Sequence, residues 1–108
     1  MKGKLVLIPF PFTDLTLSKL RPALVIHEGE QDVVVAFISS RVSGILKSSV
    51  VVDETHPDFK LTGLKTSSVI RLDKVATVLK SLIVGEIGET GATLKKEVNE
   101  KLATIYNI

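Results

Sequence analysis

Through the first two-thirds of the chain, apolar residues come in short β-branched runs broken by turn residues; only the final segment switches to a helical period. That single change of period narrows the fold more than any other feature. Residues 5–8 (Leu-Val-Leu-Ile) are expected to form a strand stopped by Pro9, and residues 23–26 a second strand launched after Arg21-Pro22. The segment between them, Phe10 to Leu20, is too long for a tight hairpin and reads as a working loop. A polar turn at residues 28–32 leads into Val33–Ile38, the most continuous apolar run, expected to be a central strand covered on both faces. Residues 48–52 and 67–72 are two further strands, joined by an irregular polar segment containing Pro57 and Gly63. Residues 75–79 and 82–87 complete the β-part. Leu94, Val98, Leu102 and Ile105 then recur at i, i+4, i+8 and i+11, one face of a helix, with Lys95, Lys96, Glu97, Glu100 and Lys101 on the others. Thr93, after a turn at Gly91, is the expected N-cap. The pattern predicts a mainly β fold: a small, strongly curved sheet or barrel closed by one C-terminal amphipathic helix.

The 108 residues suffice for one core, so a single domain over 1–108 is expected; no linker or low-complexity tract interrupts it. There is no cysteine, which excludes disulfides, thiolate metal sites and a cysteine nucleophile, and fits a reducing compartment. The longest apolar stretch, residues 5–12, contains two prolines and falls far short of the roughly 20 residues of a membrane-spanning helix. It is also a poor signal peptide, with no small-residue cleavage site at Thr13-Asp14-Leu15. A cytoplasmic protein without a membrane partner is therefore expected. The net charge of +2 neither announces nor excludes a nucleic-acid ligand.

Metal and phosphate-loop chemistry are weakly supported. His27 and His56 are the only histidines, neither with a second ligand at usable spacing, and Gly85, Gly88 and Gly91 do not match a dinucleotide or P-loop spacing. Arginine is more informative: there are three, Arg21, Arg41 and Arg71, against eleven lysines, and each lies at or beside a strand boundary. Guanidinium suits bidentate phosphate recognition. In a strand, Arg71 and Asp73 would project side by side from one face, either as a surface salt bridge or as a functional pair. Ser39 and Ser40 end the central run, where hydroxyls either cap the chain's exit from the core or serve a site. Phe10 and Phe12 flank prolines in the first loop and either stack on bases or fold back onto the core.

Taken in order, residues 6–14 (Val-Leu-Ile-Pro-Phe-Pro-Phe-Thr-Asp), 21–25 (Arg-Pro-Ala-Leu-Val), 36–40 (Ala-Phe-Ile-Ser-Ser), Thr62-Gly63-Leu64 and 68–74 (Ser-Val-Ile-Arg-Leu-Asp-Lys) resemble the MazF/PemK (Kid) toxins of type II toxin–antitoxin systems. The resemblance covers nearly the whole chain. It implies an SH3-like barrel of the CcdB/MazF/PemK type, a homodimer, and a metal-independent endoribonuclease, without cofactor, that cleaves single-stranded RNA, commonly mRNA, at short sequences. It also implies a cognate antitoxin as partner and arrest of translation and growth. By the same resemblance Arg21 matches the catalytic arginine of MazF-type members, Ser39 falls where many members place a catalytic threonine, and Arg71 and Asp73 match the acid–base pair of the PemK/Kid branch. Phe10, Phe12, Thr13, Asp14, Lys19, Ser40 and Arg41 are the expected substrate-binding residues. The alternative is a non-catalytic protein of the same fold, a CcdB-like topoisomerase poison or a degenerate binding module, which need not retain the set Arg21, Ser39, Arg71 and Asp73.

Overall fold

The computed structural model describes residues 1–10, 19–41 and 47–108. Among them the chain forms β1 (Lys4–Phe10), β2 (Lys19–Glu28), β3 (Asp32–Ser39), β4 (Ser49–Val52), the one-turn helix α1 (Phe59–Thr62), β5 (Ser68–Leu79), a turn of 3₁₀ helix (Lys80–Leu82), β6 (Gly85–Glu89) and α2 (Gly91–Ile105). The strands make one antiparallel sheet in the order β4-β5-β3-β2-β1-β6, curled into a half-barrel with α2 packed on one face.

Alternation along each strand divides the apolar residues between two clusters. Leu5, Leu24, Ala36, Ile70 and Leu72 point towards α2 and pack with its Leu94 and Val98. Their neighbours Val6, Ile8, Ala23, Val25 and Val35 form a second cluster on the opposite face. β3, expected as the central strand, is held between β2 and β5, and Val33, Val35, Ala36 and Ile38 are buried. Burying Leu94 and Val98 is worth about 1.5–3 kcal/mol each and fixes the helix on the sheet. Leu102 and Ile105 extend the same contact, so the apolar face read from the sequence is the docking face.

Four local expectations are corrected. Pro9 does not stop β1, which runs on to Phe10: β6 pairs with β1 only as far as Leu7, so on that side Pro9 is an edge position where a missing N–H breaks no ladder bond. The two strands expected at 67–72 and 75–79 are one, β5, because Asp73-Lys74 forms a bulge rather than a break. The stretch 82–87 divides into the end of the 3₁₀ turn and β6. Finally, α2 is capped at Thr90 rather than Thr93, and the Thr90 side chain makes no cap hydrogen bond. The orphan N–H of Leu94 instead donates to Asp58 Oδ2 at 2.8 Å, a cap supplied from 36 residues away. Asp58 N–H in turn donates to His56 Nδ1 at 3.0 Å, which leaves Nε2 of a neutral His56 to donate to Glu97 Oε1 of α2 at 2.5 Å. The segment containing Pro57 and Gly63 is thus a clamp on the start of α2.

Candidate active site

The strand register gathers the chemistry-bearing residues on the face opposite α2. Arg71 lies opposite Phe37, Phe37 opposite Ala23, and Ala23 opposite Val6, so these four share a face. Counting by two places Ser39 of β3 and Arg21 and Lys19 of β2 on that same face, with Arg21 beside Ile8 and Lys19 beside Phe10. At about 4.8 Å between strands and about 3.3 Å per residue, the Cα atoms of Arg21 and Arg71 lie roughly 12 Å apart, a span that two arginine side chains can close around one phosphate.

Asp73 follows Arg71 by two residues, in a stretch where β5 carries extra residues. Ala36 of β3 pairs with Val75 and Phe37 with Arg71, so Leu72, Asp73 and Lys74 have no counterpart in the β3 ladder. Within this bulge Asp73 lies against Arg71: Nε donates to Oδ1 at 2.9 Å and Nη2 to Oδ2 at 2.8 Å, a fork-to-fork pair. The side chains are 29% and 34% exposed, so as a stabiliser of the fold this pair is worth little. Its importance is orientation: it holds one guanidinium plane at a defined angle to the surface.

The pair also sets protonation. The Arg71 guanidinium hydrogen-bonded to Asp73 holds the carboxyl below the ordinary aspartate range, Lys74 adding to the effect, and Arg71 is shifted upwards by Asp73 in return. Desolvation on its own would raise the Asp73 pKa; the arginine contact outweighs it and lowers the pKa instead. A depressed carboxylate keeps its ion pair above the unfolded aspartate pKa and loses it as pH falls through the lower folded value. A carboxyl-detected NMR titration is therefore expected to give Asp73 a midpoint below the ordinary value of about 3.9, returning to it in Arg71→Ala. A midpoint at or above the ordinary value in the intact protein would contradict this geometry.

Ser39 ends β3 half-buried, and its Oγ accepts the N–H of Arg41 at 3.1 Å. The capping role is thus real; the hydroxyl proton is still able to donate. Ser40 and Arg41 are exposed directly beyond it. The Phe10 ring packs at 5.0 Å, tilted by 54°, against Phe37, so Phe10 folds back on the sheet while remaining 39% exposed. Phe12, Thr13 and Asp14 lie outside the described residues. Lys74 and Phe37 were not singled out from the sequence, although the polar doublet Asp73-Lys74 inside an apolar strand is a bulge signal. A hollow of about 370 Å³ lies elsewhere, on the α2 face between Leu24, Ile26, Val98 and Leu102, and contains none of these residues. Among the described residues no group of three or more histidine, aspartate and glutamate side chains is placed to hold a metal ion.

A family model for PemK-like, MazF-like toxins of type II toxin–antitoxin systems matches residues 1–106. The chain belongs to this family. The PemK/MazF fold is also found in solved structures. The Mycobacterium tuberculosis toxin MazF-mt6 superposes with a TM-score of 0.75 at 22% identity, covering 97% of each chain. MazF from Deinococcus radiodurans gives 0.70 at 23% identity, over 99% of this chain and 96% of that one. A mycobacterial endoribonuclease solved in complex with its cognate antitoxin gives 0.71 at 17% identity, over 96% and 91%. No curated protein matches. At these identities the structural likeness shows the fold, and for this PemK/MazF-family chain it agrees with the curled sheet and C-terminal helix expected from the sequence.

Proposed function

We propose that this family member is an endoribonuclease toxin that cuts single-stranded RNA, commonly mRNA, at the face carrying Arg21, Ser39, Arg71 and Asp73. The observation that supports this best is the bidentate Arg71–Asp73 pair on a strand bulge, on the same sheet face as Arg21 and Ser39. A non-catalytic relative of the same fold has no need to keep that set together.

The reaction such a face suits is attack of a ribose 2′-oxygen on the adjacent 3′-phosphorus. The 2′-O–P bond forms, the P–O5′ bond breaks with the departing 5′-oxygen taking a proton from solvent, and the products are a 2′,3′-cyclic phosphate and a 5′-hydroxyl. Charge accumulates on the non-bridging oxygens, where guanidinium groups stabilise it. Arg21 and Arg71 fill that role, and Ser39 donates a hydrogen bond to the same phosphate. Asp73 begins as a weak base because Arg71 holds it. As the phosphate draws the guanidinium towards itself, Asp73 loses that partner, its basicity rises, and it accepts the 2′-hydroxyl proton. The exposed Lys19, Arg41 and Lys74 flank the track of the backbone, and Phe10 offers a ring to a base. Phe12, Thr13, Asp14 and Ser40 complete the proposed binding set.

Metal independence follows in this reading from the arginines carrying the charge that a cation would otherwise supply. A homodimer and a cognate antitoxin that covers the RNA face belong to the same proposal; the antitoxin complex of the mycobacterial endoribonuclease supports the latter. Among the described residues no helix is long and apolar enough to cross a membrane, and a cytoplasmic site of action, where mRNA is found, is part of the proposal. The test is incubation of a long transcript with the protein in excess EDTA, followed by mapping of the fragment ends. Discrete cuts bearing 5′-hydroxyl ends are expected; intact RNA at high protein concentration would refute the reading.

A further inference from the structure

Leu72 lies between Arg71 and Asp73, and it is tied down three ways. Its side chain is fully buried under α2. Its N–H donates to Ser48 O at 3.0 Å. Its carbonyl, in the stretch of β5 that has no counterpart in the β3 ladder, accepts the hydroxyl of Tyr106. Tyr106 is the C-cap residue of α2, 34 residues on in sequence, and its own N–H is bonded to Leu102 O at 3.1 Å.

We infer that Tyr106 is a positioning residue for the Arg71–Asp73 pair, fixing through its hydroxyl the one peptide unit whose rotation would swing Asp73 away from the guanidinium. The physical reason is the bulge. In a regular ladder a neighbouring strand would fix the 72–73 peptide plane, but β3 skips these residues and the β4 ladder ends at Arg71. A buried backbone carbonyl keeps a partner wherever one is available, and here the phenol is that partner. The side chain as a whole is 52% exposed, so the ring contributes modest burial and the hydroxyl contact is what distinguishes this residue. The helix docked by Leu94 and Val98 therefore does more than cover the core: its last turn reaches the backbone beneath the site.

The inference rests on the nuclease reading only for its consequence in catalysis, and the test separates the two. The first readout needs no RNA: the ¹⁵N-edited Nε–Hε signal of Arg71, sharp and slowly exchanging while Asp73 holds it. In Tyr106→Phe this signal is expected to broaden and its exchange to accelerate about tenfold, while p-aminophenylalanine at position 106, whose N–H can donate to the same carbonyl, restores it. Thr104→Ala, which removes an exposed hydroxyl bonded to Glu100 O one turn earlier, leaves it unchanged. The second readout is RNA cleavage, where Tyr106→Phe is expected to lower kcat about tenfold with KM within twofold, as misplacement of a catalytic group does. An Arg71 signal identical in Tyr106→Phe and wild type overturns the inference, as does failure of p-aminophenylalanine to restore it. If the wild-type protein leaves RNA intact, the nuclease reading fails and the Arg71 signal alone supports or overturns the role of Tyr106.

Discussion

Arg71→Ala is expected to slow RNA cleavage by about 10²- to 10³-fold, the effect of removing one preorganised charge stabiliser from a transition state. Two losses combine. The phosphate loses a fork-shaped donor held in place by Asp73 through both oxygens, and Asp73 loses the partner that the incoming phosphate would displace. Arg71→Lys should recover little, because a single ammonium cannot present two parallel N–H groups. The fold should hardly notice either change: a pair this exposed contributes about 0–1 kcal/mol. Single-turnover rates measured beside thermal melting curves check both halves. A rate loss below threefold, or a loss accounted for by unfolding, would contradict the assignment.

Gly63→Ala is expected to destabilise the protein by about 2–5 kcal/mol, from roughly 1–2 kcal/mol of left-handed backbone strain and about 1–3 kcal/mol of overpacking. Gly63 ends α1 with φ +73°, and a Cβ there would lie 2.0 Å from the carbonyl oxygen of Ile87 in β6. The contact is reciprocal, since a Cβ on Gly88 would lie 2.3 Å from Leu61 O. Neither backbone can retreat easily, because α1 follows directly on the Asp58 clamp to α2 and β6 is paired to β1. Gly85, in the same strand, has open space where its Cβ would be, so Gly85→Ala is the matched control, expected within about 0.5 kcal/mol of wild type. Urea unfolding followed by circular dichroism compares the two; equal midpoints would show that the close approach of α1 and β6 is not as described.

What the sequence made legible was whatever depends on neighbours in the chain. Leu94, Val98, Leu102 and Ile105 announce the docked face of α2 because helical spacing alone sets it, and the uninterrupted run 33–38 announces an interior strand in the same way. The arginines stood out by position. Features settled by partners distant in sequence were hidden: the cap of α2 is a carboxylate 36 residues before its N–H, and the hydroxyl beneath the bulge comes from 34 residues beyond its carbonyl. Asp73-Lys74 reads locally as a gap between strands; only the skipped register with β3 shows it to be a bulge within one strand that carries the Arg71–Asp73 pair. Its lowered pKa was hidden for the same reason, since i, i+2 spacing allows the pair without stating that both carboxylate oxygens are engaged. Pro9 misled because the penalty for proline in a strand depends on which edge it faces.

In the proposed reaction the neighbouring 2′-hydroxyl is the nucleophile at this face. Once a cut site has been mapped, two oligonucleotides carrying it are compared in EDTA, one all ribose and one with a single 2′-deoxynucleotide immediately 5′ to the scissile phosphate. Cleavage of the first to a 2′,3′-cyclic phosphate and no cleavage of the second is the predicted result. Cutting of both at similar rates would contradict it, because the deoxy substrate has no 2′-oxygen to attack.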